Sequence, residues 1–133
     1  MLIRPEEARD RDAVRAVNLA AFETSAEADL VDALREQARP VISLVAEDDG
    51  KVVGHTLFSP VTLSGHPELA LMGLAPMAVV PGHQRQGIGS GMVRAGLERC
   101  RRLGFGAVVV LGHPGYLLGA SGTVEYHTAF RDV

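Results

Sequence analysis

The sequence predicts a single α/β domain in which helices flank both faces of a mixed, mostly antiparallel β-sheet. The length of 133 residues fits one hydrophobic core. Strand-like and helix-like segments follow one another in the order β-α-α-β-β-β-α-β, which is typical of one sheet covered by helices. No repeat, linker or low-complexity segment divides the chain. Residues 1–133 are therefore interpreted as one domain, with residues 112–133 as an atypical tail.

The first third of the chain is predicted to form one strand and two helices. Residues 2–5 are a short strand ended by Pro5, and Asp10 can cap a helix that runs to about residue 22. Thr24 and Glu27 have the spacing of a capping box, which predicts a second helix. The helical periodicity predicts which residues point inward. These are Val14, Val17 and Ala21 in the first helix, and Leu30, Val31, Leu34 and Ala38 in the second.

The middle of the chain is predicted to form an antiparallel hairpin. Residues 41–47 and 52–63 have the apolar content of strands, and the turn between them contains Gly50. Glycine favours such a turn because it adopts the positive φ angles that other residues resist. A second turn at residues 64–67 leads into the next strand.

A long strand at residues 69–80 is interrupted by Gly73 and Pro76. Because proline cannot donate a hydrogen bond to a sheet, this strand is expected to bulge or to border an opening in the sheet. An amphipathic helix at about residues 87–103 and a continuous apolar strand at residues 107–111 complete the pattern.

Composition excludes several classes of protein. Hydrophobic residues make up 47% of the chain and charged residues 22%, which is ordinary for a soluble domain. The chain has no apolar run long enough to cross a membrane and no secretory signal pattern, and with one cysteine it has no disulfide or cysteine-rich zinc site. We therefore expect a cytoplasmic protein without a metal. The net charge of -3 argues against nucleic-acid binding over a broad basic face.

The loop at residues 81–91 has the features of an anion site. Gly87, Gly89 and Gly91 leave backbone amides uncovered, and the start of the following helix adds free N–H groups and a partial positive charge. Arg85 could add a charged contact. Glycines before a helix can also be only a tight connection. The spacing fits neither a P-loop nor a dinucleotide fingerprint.

The stretch Gln84-x-x-Gly87-x-Gly89 resembles the acetyl-CoA signature of the GNAT family of N-acetyltransferases. The preceding Met77-Ala78-Val79-Val80-Pro81 resembles the family's strand that leads into the signature, and the order of elements is similar through Leu111. The resemblance implies transfer of an acetyl group from acetyl-CoA to an amine of a small molecule or protein. The amine would attack the thioester directly, without a covalent enzyme intermediate.

The same resemblance implies roles for individual residues. Amides of the signature would hold the CoA pyrophosphate, and the preceding strand would bind the pantetheine arm and polarise the thioester carbonyl with a backbone N–H. The cofactor-binding residues implied are Met77, Ala78 and Val79 in the strand, and Gln84, Arg85, Gln86, Gly87, Ile88, Gly89 and Ser90 in the loop.

Catalytic residues are less well marked. Tyr116 is the predicted acid for the departing thiolate, although Leu117 stands where the resemblance expects the tyrosine. His55 is the predicted base, with a pKa expected near neutrality, and its alternative interpretation is a structural histidine. Glu68, His83 and His113 are further candidates for the base, and a chain of water molecules could serve instead. Cys100, inside a helix, is expected to pack in the core.

The tail from residue 112 departs from the family, whose members continue with a helix and two strands. Residues 123–126 could form one short strand. Natural divergence, a shortened chain or a change of reading frame near Tyr116 would each produce this ending. An open sheet edge there predicts a possible homodimer. Two alternative functions follow: a CoA-binding protein without catalysis, and an interaction domain whose glycine loop is only a connector.

Overall fold

A computed structural model of the chain describes residues 1–63, 65–111 and 124–127. One six-stranded sheet has its strands in sequence order, and every neighbouring pair is antiparallel except the fourth and fifth strands, which are parallel. The strands are β1 (Leu2–Pro5), β2 (Ile42–Asp48), β3 (Lys51–Leu63), β4 (His66–Val79), β5 (Ala107–Leu111) and β6 (Val124–His127). The helices are α1 (Arg11–Ala21), α2 (Ala26–Gln37) and α3 (Ile88–Arg102).

The sheet carries helices on both faces, which confirms the predicted architecture. Neighbouring residues on one strand point to opposite faces because the backbone is pleated. Leu44 and Phe58 accordingly pack in the core under α3, whereas Val45 and Leu57 pack with residues of α1 and α2. Each face is thus closed by its own helical layer. No helix in the described ranges is long and apolar enough to cross a membrane.

The inward face of α2 differs from the prediction at one position. Ala28 and Val31 are each only 2% exposed, whereas Leu30 is 40% exposed. Residues three positions apart, such as Ala28 and Val31, lie on the same side of a helix. Leu30 lies two positions after Ala28 and therefore points about 200° away from it. The assignment of Leu30 to the inward face was therefore wrong.

The helix caps are also arranged differently from the prediction. Thr24 accepts a hydrogen bond from the amide of Ala26 through its hydroxyl oxygen at 3.2 Å, but α2 starts at Ala26 with Ser25 as its N-cap. Asp10 precedes α1 without capping it, because its carboxylate contacts the guanidinium of Arg4 at 2.7 Å. That arginine lowers the pKa of Asp10 to about 2.

Strand β4 contains the irregularity that Gly73 and Pro76 predict. In its pairing with β3, Thr56 lies opposite Met77 and Phe58 lies opposite Leu74. Two steps along β3 therefore match three along β4, so β4 carries one extra residue next to Pro76. Such a bulge bends the strand and changes its direction relative to the neighbouring strand.

Candidate functional site

Within the described ranges, no strand pairs with β4 beyond Leu74 on the edge that faces β5. The parallel pairing of β4 with β5 ends at Leu74 and Val110, while β4 continues to Val79. The amide of Val80 donates to Val53 on β3, so by alternation the backbone groups of Met77 and Val79 point away from β3. As far as the described residues go, an extended ligand could therefore pair with this segment as an additional strand.

The start of α3 follows the end of β4 by a short loop, and no side chain of the described residues caps it. Its N-cap is Gly87, which adopts the left-handed conformation with φ 80°. The first intrahelical hydrogen bond runs from Gly91 to Gly87, at 3.0 Å. In the described part of the chain, the amides of residues 88–90 therefore have no protein acceptor. These N–H groups and the helix dipole together favour an anion.

The loop at residues 81–91, called the signature loop from here on, is held against β4 by Gln84. Its side-chain amide donates to the carbonyl oxygen of Val79 at 2.9 Å, so one of the two lone pairs of this carbonyl is already used. Arg85, which also has a positive φ of 65°, is exposed at the turn of the loop. Gln84 therefore shapes the loop, and the guanidinium of Arg85 is accessible to an anion.

A shallow groove of about 360 Å³ lies between the end of β4 and the start of α3. Its walls are Met77, Gly89, Ser90, Val93 and Arg94. A Cβ atom on Gly89 would lie 3.5 Å from the sulfur of Met77, so glycine leaves the space above this methionine open. The sequence prediction missed Arg94, although its spacing of four residues from Ser90 places both on one side of the helix.

His55 is fully buried on β3, directly opposite Ala78 of β4. Its Nδ1 lies 3.2 Å from the side-chain nitrogen of Asn18, and its Nε2 lies 2.9 Å from the hydroxyl oxygen of Ser43. Burial, together with the positive charge of Arg35, lowers the pKa of His55 to about 3. The expectation of a near-neutral pKa was wrong because no solvent stabilises the imidazolium form.

The hydrogen bonds around His55 have one consistent direction. Asn18 donates to the carbonyl of Val14 at 3.0 Å, which fixes its amide nitrogen toward His55. Nδ1 of His55 is then the acceptor, and Nε2 donates to Ser43. Ser43 in turn donates to Glu6 at 2.6 Å. Asn18 was missed from the sequence, although it lies on the same inward stripe as Val14.

A sequence profile described as the acetyltransferase (GNAT) family matches residues 8–115 of this chain. The chain belongs to the GNAT acetyltransferase family. It is 46% identical over 110 residues to the uncharacterized N-acetyltransferase YjhQ of Escherichia coli K12, an alignment that covers 80% of this chain and 61% of that protein. The uncharacterized N-acetyltransferase YhbS of the same strain is 42% identical over 115 residues, covering 86% of this chain and 68% of that protein.

Two solved GNAT structures are similar along nearly the whole chain. A GNAT acetyltransferase from Brucella melitensis in complex with acetyl-CoA superposes with a TM-score of 0.77 and 38% identity, covering 97% of both chains. YhbS from Escherichia coli in complex with CoA superposes with a TM-score of 0.76 and 33% identity, covering 95% of this chain and 89% of that chain. By contrast, this chain spans about three fifths of the length of the curated relative YjhQ.

The remaining residues considered from the sequence are buried, contact other side chains or lie outside the described residues. Tyr116, Leu117 and His113 lie outside the described residues. Cys100 is fully buried, and burial raises the pKa of its thiol to about 11, as expected of a core residue. His83 is 3.2 Å from the carboxylate of Asp48. Exposed Glu68 lies 3.5 Å from His66.

Proposed function

We propose that this chain binds acetyl-CoA and transfers its acetyl group to a primary amine of a small molecule or protein. The observation that carries the proposal is the start of α3 next to the edge of β4 beyond Leu74, neither of which has a partner among the described residues. The start of the helix attracts a pyrophosphate, and the edge of the strand accepts an extended arm that contains amide groups. The two solved GNAT relatives bound to acetyl-CoA and CoA support the choice of ligand.

The amides of Ile88, Gly89 and Ser90 would receive the pyrophosphate, with Arg85 and Arg94 as charged neighbours. The pantetheine arm would lie along Met77 and Val79, which leave backbone groups open beside β5. An N–H of this strand would stabilise the negative charge that develops on the thioester oxygen. The neutral amine then forms the new C–N bond, the C–S bond breaks, and CoA leaves as a thiolate.

Two proton transfers complete this reaction, and Tyr116 and His55 are the proposed groups. Tyr116 would protonate the thiolate, and His55 would remove the proton from the ammonium. His55 is neutral, as a base must be, but its burial also makes the ring a weak base, so it would act only if its surroundings change. For it to act, the amide of Asn18 must first leave Nδ1, because this nitrogen carries the free lone pair of the ring.

The ligand is tested by placing a negative charge at the helix start. Gly89→Glu keeps a helical conformation and even favours the helix dipole, but its carboxylate would repel a pyrophosphate. We expect calorimetric titration to show at least a tenfold weaker affinity for acetyl-CoA. Gly82→Glu is the matched control, since it adds the same charge to an exposed turn with open space around it. Equal affinities for the two variants would reject the site.

The reaction is tested by thiol release from acetyl-CoA across a panel of amines. Wild-type release that depends on the amine supports transfer, and binding without release supports a CoA-binding protein that lacks catalysis. In the same assay, His55→Gln retains groups that can accept and donate hydrogen bonds. If His55 is the base, the rate should fall about 100-fold or more. An unchanged rate would leave His55 with a structural role.

A further inference from the structure

A second cleft lies at the opposite end of α3 from the signature loop. It has a volume of about 670 Å³ and is bounded by the segment after β1, the start of β2 and the C-terminal ends of α2 and α3. Because α3 has 15 residues, its ends are about 22 Å apart. The cleft is therefore separate from the proposed acetyl-CoA site.

This cleft concentrates positive charge in a chain whose net charge is -3. Five arginines line it, against two carboxylates from Glu6 and Glu7. The arginines are Arg11, Arg35, Arg39, Arg99 and Arg102. They come from all three helices and from the segment after α2, so folding brings together cations that are far apart in the sequence.

Some of these arginines form ion pairs within the chain, and others have no carboxylate partner among the described residues. Arg35 pairs with Glu6, and Arg102 pairs with Glu98. Arg39 donates to backbone carbonyl oxygens. Among the described residues, Arg11 and Arg99 have no carboxylate within 4.0 Å, and both are exposed. Two guanidinium groups thus remain available in the cleft, with Arg39 available for a further contact.

Helix-dipole compensation explains only some of these positions. Arg99 and Arg102 lie in the last turn of α3, where a cation is favourable. Arg11, in contrast, is the first residue of α1, where the positive end of the helix disfavours a cation. No acidic side chain pairs with it in the part of the chain that the structure describes. An external anion would remove this unfavourable interaction.

We propose that the arginine cleft binds a small molecule that carries two or more phosphate groups. Guanidinium groups recognise phosphate through paired N–H donors, and several of them together suit a multiply charged ligand. The volume lies within the range of about 300–1,000 Å³ that is usual for small-molecule sites. The site differs from the signature loop in its chemistry, because it uses side-chain charges where the loop offers backbone amides.

The test uses inorganic tripolyphosphate as the probe and measures its binding by calorimetric titration at low ionic strength. The protein is the Gly89→Glu variant, in which the added carboxylate blocks anion binding at the signature loop. In this background, we expect Arg11→Gln combined with Arg99→Gln to weaken binding at least tenfold. Arg15→Gln combined with Arg101→Gln is the matched control. It removes two ion-paired arginines of α1 and α3 whose exposed side chains lie outside the cleft, as do their carboxylate partners, and it should change affinity less than twofold.

Three results would overturn the proposal. Equal weakening by both double variants would show a general effect of net charge. Absence of tripolyphosphate binding to Gly89→Glu, with binding to the wild type, would show that the signature loop is the anion site. No binding to either protein would exclude a phosphate site altogether. None of these results depends on acetyl transfer, so the two proposals fail independently.

Discussion

At the scale of single residues, burial controls the charge of His55. Its ring is surrounded by Asn18 on α1 and Ser43 on β2, and no part of it reaches solvent. The neutral ring fits one hydrogen-bonding pattern, in which Nδ1 accepts and Nε2 donates. Protonation would place two donors, Nδ1 and the Asn18 amide, against each other. The fold therefore favours the neutral histidine.

This preference predicts a pH-dependent stability. In the unfolded chain His55 titrates near its ordinary pKa of 6.5, whereas in the folded protein the value is about 3. The folded pKa is depressed, so the stabilisation is present above pH 6.5 and is lost as the pH falls toward 3. The loss is about 1.4 kcal/mol per pH unit. Between pH 7 and pH 5, the wild type should lose about 2 kcal/mol more than His55→Gln, measured by urea unfolding. Parallel losses in the two proteins would contradict the assignment.

At the scale of elements, glycines set how closely α3 approaches the sheet. A Cβ atom on Gly96 would lie 2.1 Å from Cε1 and 2.2 Å from Cζ of Phe58, a ring that is fully buried between α3 and the sheet. A Cβ atom on Gly91 would lie 2.7 Å from Cδ1 of Ile3, which is the flexible end of a half-buried side chain. The first contact has no room to relax, whereas the second has.

Alanine substitutions at these two positions should therefore have different effects on stability. Gly96→Ala is expected to lower the free energy of unfolding by about 1–3 kcal/mol, because overpacking against Phe58 exceeds the gain in helix propensity. Gly91→Ala should leave it unchanged or raise it by up to about 1 kcal/mol. Chemical unfolding of both variants measures the difference. A stabilised Gly96→Ala would show that α3 can move away from the sheet at little cost.

At the scale of the whole molecule, acetyl-CoA should stabilise the native state because its site exists only when β4 and α3 are assembled. At a ligand concentration 100 times Kd, the free energy of unfolding should rise by about 2.7 kcal/mol. Thermal unfolding at increasing acetyl-CoA concentration measures the rise in the unfolding midpoint. Gly82→Glu should show the same rise, and Gly89→Glu should show none. A midpoint independent of ligand concentration in the wild type would contradict binding to the folded protein.

Much of this architecture could be predicted from local sequence. The strand and helix order, the interruption of β4 at Pro76 and the glycine-rich start of α3 were confirmed, because each depends on residues that are close in the chain. Errors occurred where an outcome depends on distant groups. The exposure of Leu30 depends on how α2 is rotated against the sheet, and the orientation of Asp10 depends on Arg4.

The sequence by itself determined the fold class through its apolar periodicity, which is a local property, and the family through the resemblance of residues 84–89 to the GNAT signature. Only the tertiary structure decided that β4 parts from β5 beyond Leu74, that His55 is enclosed by two polar partners, and that five arginines share one cleft. These features depend on distances between elements and on the exclusion of water. Both arise only when the sheet and its helices pack together.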